Sequence, residues 1–147
     1  MLALVVQVAE QRYVVPAARV VEVLPRVQLS PVPRAAPWHA GLLSYRGAAL
    51  PVLDLSRRLG EGACAERLGN RVLVVDVQRP SGAQRWGVLV EQVLQVRDVE
   101  ATSVESSVPV VGLGDGVLVQ LLELDGLLDG KQLDERELAA GMAMEAG

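Results

Sequence analysis

The chain carries two copies of one pattern. Slid against itself, the sequence places Leu4, Val6 and Val8 on Leu73, Val75 and Val77 at an offset of 69 residues. Tyr13, Val20 and Val23 fall on Trp86, Val93 and Val96 at an offset of 73, and the four extra residues lie around Pro80-Ser-Gly82. Gly47-Ala-Ala-Leu-Pro-Val-Leu-Asp-Leu55 then falls on Gly116-Val-Leu-Val-Gln-Leu-Leu-Glu-Leu124, again at 69. Three blocks in one order imply two related halves of about seventy residues, a size at which a lone unit is marginally stable. Closing each unit into a small barrel removes its sheet edges, and packing two barrels together gives them a shared apolar seam.

The apolar residues favour strands. Of 147 residues half are apolar, with 26 Val, 23 Leu and neither Ile nor Phe. Valine's branched β-carbon suits a pleated surface better than a helix. Strand-like runs cover 2–8, 12–15, 20–24, 41–45, 49–53, 71–77, 85–90, 94–97, 110–113 and 117–122, separated by turn residues. That spacing predicts antiparallel barrels or sandwiches rather than alternating βα units. In the first run Leu2, Leu4, Val6 and Val8 share one face while Ala3 and Val5 make the other apolar too, so this strand is expected to be covered on both sides. Helical signals are few: Asp54 to Leu59 stopped by Gly60, one turn at Asp125 to Asp129, and a C-terminal helix over 134–144 with Asp134 as N-cap and a glutamate three residues on.

Several function classes are poorly served by this composition. Cys64 and His39 are the only residues of their types, too few for a disulfide framework or a zinc cluster. A net charge of −4 suits neither phosphate backbones nor anionic headgroups, so no nucleic acid partner is expected. Apolar runs fall far short of the ~20 residues a spanning helix needs, and no leader pattern opens the chain; a soluble, cytoplasmic protein without membrane insertion is expected. Thirteen Arg against one Lys fits coding bias better than a basic face.

Catalytic motifs are equally sparse. His39 follows Pro37-Trp38 with no acid or nucleophile beside it in sequence, and Cys64 sits between alanines in a polar segment. Gly112-Leu-Gly-Asp-Gly116 precedes a strand, so it has the form of a hairpin turn and lacks the helix that would present amides to a phosphate. Asp54 and Glu123 occupy equivalent places in the two copies, which points to capping or strand-end roles. Two charged residues within apolar runs remain. Arg46 lies at a hairpin tip, where its guanidinium reads as a partner contact or a solvated charge. Glu22 lies between Val21 and Val23, and simple alternation puts it on one face with Val20 and Leu24.

A run of motifs resembles the CheW-type scaffold proteins of bacterial chemosensory arrays. They are Tyr13-Val-Val-Pro16, Val20-Val-Glu-Val23, Val32-Pro-Arg-Ala-Ala-Pro37, Gly41-Leu-Leu-Ser-Tyr-Arg-Gly47, Leu50-Pro-Val-Leu-Asp-Leu55, Trp86-Gly-Val-Leu-Val90 with Val93 and Val96, and Leu121-Leu-Glu-Leu124. Arg-Gly followed by Pro-Val-x-Asp-Leu is the most specific block, and the likeness runs from about Leu4 to Leu128. Three features depart from the family pattern: Glu91 stands where Asp is usual, Tyr45 replaces an aliphatic residue before Arg-Gly, and the stretch from Val99 to Gly116 is short.

The resemblance implies a mainly β protein: a single CheW-like domain over 1–147, built of two SH3-like five-stranded β-barrels around a shared apolar core, with short helices and the C-terminal helix. The barrels are expected at roughly 1–68 and 69–130, with strand exchange between them left open. It further implies a non-catalytic adaptor that couples the cytoplasmic tip of a chemoreceptor to the regulatory domain of a CheA-type histidine kinase, in membrane-associated arrays and without cofactor or metal. Carried over by position, receptor-binding residues are Val20, Glu22, Arg46, Gly87 and Val93. Gly87 is expected to let the partner approach closely; kinase-contact residues stay unassigned. Two other readings remain open, a small-ligand-binding or enzymatic barrel protein using the inter-barrel groove, and a regulatory module of a kinase or receiver-linked adaptor.

Overall fold

The computed structural model describes residues 1–102, 109–114 and 116–128. The helix expected over 134–144 lies outside them. Element order is β1 (Leu2–Val8), β2 (Gln11–Pro16), β3 (Val20–Pro25), β4 (His39–Tyr45), β5 (Ala48–Asp54), α1 (Leu55–Arg58), β6 (Arg71–Arg79), β7 (Gly82–Val90), β8 (Gln92–Asp98), β9 (Glu100–Thr102), β10 (Val110–Gly112), β11 (Leu118–Leu121) and α2 (Leu124–Leu127). All ten runs anticipated from the sequence contain strand; β9 is additional and continues β8 past Val99.

The strands form two sheets, β8-β1-β2-β11-β10-β9 and β3-β6-β7-β5-β4. Each is an SH3-like barrel, A and B respectively, and each is completed by a hairpin from the other half of the chain. Hairpin β1-β2 sits in barrel A with β8 to β11, whereas β6-β7 sits in barrel B with β3 to β5. Barrel B is thus the continuous stretch from β3 to β7, barrel A combines the two ends of the described chain, and the division near residue 68 separates the copies without separating the sheets. The registers show how faithfully the copies correspond. Leu4↔Val96 in barrel A matches Leu73↔Val23 in barrel B, and the parallel pair Leu121↔Val14 matches Val52↔Gly87. Even the irregularity recurs, because the β1–β8 and β3–β6 ladders shift register at equivalent places.

Closure is also paired. In barrel A, β9 bonds to β10 after the bend at Val99. In barrel B, the chain beyond β3 returns to β4, where Ser30 and Leu42 exchange backbone hydrogen bonds of 2.9 and 2.8 Å. Gly41 makes this approach feasible: a Cβ there would lie 2.7 Å from the Ser30 carbonyl oxygen.

Alternation along these strands builds three apolar clusters. Leu4, Val6 and Val8 of β1 meet Leu73, Val75 and Val77 of β6 in a seam between the barrels, joined by Leu53, Leu55, Leu122 and Leu124. Ala3, Val5 and Val14 point the other way into barrel A with Val111 and Val119. Val52, Val72, Val74, Leu50 and Leu89 fill barrel B. The two-faced apolar pattern of β1 thus has its physical reason: one face lines its own barrel and the other lines the seam. Leu127 and Leu128 complete the seam, and the turn that carries them is clasped by three arginines, from the end of β6, from α1 and from just before β3. Arg58 Nε donates to the Leu127 carbonyl at 2.8 Å, Arg79 donates to the Leu128 carbonyl, and Arg19 pairs with Asp125.

Candidate docking site

Hairpin β4–β5 closes through Tyr45↔Ala48, leaving Arg46 and Gly47 as a two-residue loop. Both have positive φ, 49° and 80°, the geometry of a type I′ turn that matches the twist of the flanking strands. Glycine adopts that region freely, but arginine does so at a cost of order 1 kcal/mol. The turn holds Arg46 out into solvent, with its side chain 68% exposed.

Glu22 on β3 meets it there. Arg46 Nη2 donates to Glu22 Oε1 at 2.7 Å, and the Tyr45 hydroxyl donates to the same oxygen at 3.1 Å. Arg46 Cζ also stands 5.2 Å from the centre of the Tyr45 ring. Tyr45 itself is buried among the residues of barrel B. Burial, then the bond to Glu22, pushes its hydroxyl above the ordinary value of 10, so it stays protonated and donating at neutral pH. Beside this group Arg85 Nε donates to Asp76 Oδ1 at 3.0 Å across the β6–β7 ladder, which raises the arginine's affinity for its proton.

The bulge in β3 corrects the simple alternation read from the sequence. Val20 pairs with Val75 and packs on the seam, whereas Glu22 pairs with Val74 and Leu24 packs on the interior of barrel B. The register shift between Val20 and Glu22 sets Val20 apart from Glu22 and Leu24, with which strict alternation put it on one face. Val21 and Val23 are left exposed beside Glu22.

Of the residues carried over by resemblance, Glu22 and Arg46 are in direct contact. Val20 lies two positions from Glu22 on the same strand. Val93 is on β8 of barrel A and, like Val20, packs half-buried against the seam. Gly87 differs from expectation: it is buried, and a Cβ built on it would lie 2.8 Å from Val72 Cγ1 and 3.0 Å from Val52 Cγ2. The missing side chain makes room for the barrel's own valines. Tyr45 stood out in the sequence only as a departure from the family pattern, and its contacts across the barrel to β3 were not readable there.

Three residues with catalytic potential come to one cavity, where the Asp54 carboxylate and His39 Nδ1 accept hydrogen bonds from backbone amides. A cavity of about 410 Å³ is lined in part by His39, Asp54 and Cys64. Asp54 is spent as N-cap of α1: its Oδ1 accepts from the Arg57 amide at 3.3 Å and its Oδ2 from the Cys64 amide at 3.0 Å. His39 Nδ1 accepts from the Gly41 amide at 3.1 Å, and its ring lies against Trp38 and Trp86. The Cys64 thiol is pushed up to about 11 by burial and by Asp54, so it is the neutral thiol that faces this space. Among the described residues no group of three or more His, Cys, Asp or Glu could hold a metal ion, and no helix is long and apolar enough to cross a membrane.

Residues 2–132 match the family model described as CheW-like domain. Protein FrzA of Myxococcus xanthus is 36% identical over 99 residues, a match covering 67% of this chain and 59% of FrzA. Chemotaxis protein CheW of Rhizobium meliloti (strain 1021) is 28% identical over 144 residues, covering 90% of this chain and 88% of that protein. The fold is similar to the crystal structure of scaffolding protein TtCheW from Thermoanaerobacter tengcongensis, with a TM-score of 0.73, 22% identity, and coverage of 87% of this chain and 92% of the other. A family match across nearly the whole described length, together with paired barrels that share a seam, establishes that this chain belongs to the CheW-like domain family.

Proposed function

We propose that the chain is a non-catalytic coupling protein of a chemosensory array, holding the helical cytoplasmic tip of a chemoreceptor and the regulatory domain of a CheA-type histidine kinase in register. The observation that carries this reading is the Arg46 tip. A cation held exposed in a costly backbone conformation and pinned by Glu22 supports reading this tip as a surface met by another protein. Val20 and Val93, half-buried at the seam, are read as the apolar part of this surface, which accepts an amphipathic helix that presents a polar acceptor to Arg46. The kinase domain, with a related double barrel, docks at a barrel end. Such a protein works by geometry: it lowers the cost of bringing two partners together and makes or breaks no bond.

The test uses the purified chain, a soluble receptor-tip fragment and a kinase regulatory domain, with both affinities measured by calorimetry. Arg46→Glu is expected to weaken the receptor fragment by about thirtyfold or more, the scale of an interface hot spot, with the circular dichroism spectrum and kinase-domain affinity unchanged. Undiminished receptor binding by a folded Arg46→Glu protein refutes the assigned surface. Turnover of a small molecule by the purified chain refutes the adaptor reading itself.

A further inference from the structure

We propose that Tyr45 is a positioning residue for Arg46, its ring and hydroxyl fixing the guanidinium in the orientation that a partner meets. This rests on reading Arg46 as a partner contact, and it adds a residue to the binding positions carried over by resemblance.

Three observations converge on it. First, the Tyr45 hydroxyl and Arg46 Nη2 donate to one atom, Glu22 Oε1, so the tyrosine fixes the carboxylate that in turn fixes the arginine. Second, the ring lies within the ~6 Å over which an aromatic face attracts a cation, giving the guanidinium a second point of attachment. Third, Tyr45 is only 8% exposed and packs with Leu43, Leu50 and Val52, so this attachment is anchored in the barrel interior. Arginine alone on a hairpin tip would sample many rotamers and lose that freedom on binding. A guanidinium already held at two points loses less, which is how a preorganised site gains affinity. An aliphatic residue at position 45 would fill the barrel and supply neither the ring face nor the donor.

The geometry also assigns separate roles to ring and hydroxyl, so they can be removed in turn. Tyr45→Phe keeps the ring and the core volume but leaves Glu22 with one donor; Tyr45→Leu removes both. In the free protein, nitrogen relaxation at Arg46 Nε is expected to show the most ordered side chain in the parent, intermediate order in Tyr45→Phe and the least in Tyr45→Leu, where the Glu22 pair alone remains. Calorimetry with the receptor-tip fragment is expected to show about twofold weaker binding for Tyr45→Phe and about fivefold for Tyr45→Leu, the scale of a surface cation–π contact with its ordering. In an Arg46→Ala background both effects are expected to vanish, which a merely structural tyrosine would not produce. Equal Arg46 order in parent and Tyr45→Phe, or a Tyr45→Phe loss that persists in full without Arg46, overturns the proposal. Should the fragment fail to bind the parent protein, the docking reading falls and the relaxation data alone decide the positioning role.

Discussion

Substituting Gly87 by alanine separates the two roles this position could have. A Cβ there would meet Val72 Cγ1 at 2.8 Å and Val52 Cγ2 at 3.0 Å, both on buried, β-branched side chains whose rotamers are restricted by their strands. Both valines are fully buried, so the new methyl can be accommodated only by displacing packed neighbours or the β7 backbone. Overpacking by a single methyl in a filled core costs about 1–3 kcal/mol. That corresponds to roughly a fivefold to hundredfold change in the unfolding equilibrium. Urea titration followed by circular dichroism is expected to show a lower midpoint with an unchanged slope. A second substitution, Val72→Ala, opens the space the new methyl needs, so the double variant should recover stability relative to the sum of the two single effects. Gly87→Ala with parental stability but abolished receptor-fragment binding would refute the packing role and restore direct contact with a partner.

Two further outcomes follow from groups buried near the closure of barrel B. Burial lowers the pKa of His39 from 6.5, so the neutral ring is the one the fold favours. Its stabilising contribution is complete above about pH 6.5 and is lost as pH falls through the lowered native value, where protonation also removes the acceptor for the Gly41 amide. Denaturant titrations in that window should show the parent losing stability more steeply than His39→Phe; parallel curves would contradict this. Cys64, with its thiol raised to about 11, should react with iodoacetamide at neutral pH far more slowly in the native protein than in denaturant. Equal rates in both states would mean that the thiol is neither buried nor held neutral.

Much of the architecture was present in the residue pattern. Valine-rich runs with turns between them fixed strand identity, the 69-residue repeat marked two copies, and the two-faced apolar pattern of β1 required cover on both sides. The Arg-Gly tip was readable because glycine after a polar residue between two strands is the chemistry a type I′ turn demands. Other features depend on contacts that no local pattern encodes. The β3 bulge reverses which neighbours Val20 and Leu24 share, and period-two reading cannot see an unpaired residue. Gly87 looked like an opening for a partner because a glycine's sequence neighbours do not reveal which side chains occupy the space it leaves.

The exchange of hairpins marks the boundary between the two kinds of information. Leu4 pairs with Val96, and Leu73 with Val23, yet the copies are so alike that pairing Leu4 with Val23 and Leu73 with Val96 would satisfy the same alternation. By itself the sequence determined that each strand has a partner of a given pattern. Only the tertiary structure decided which copy supplies it, because equivalent edges differ in what their outer faces bury, and that is settled by the seam as a whole.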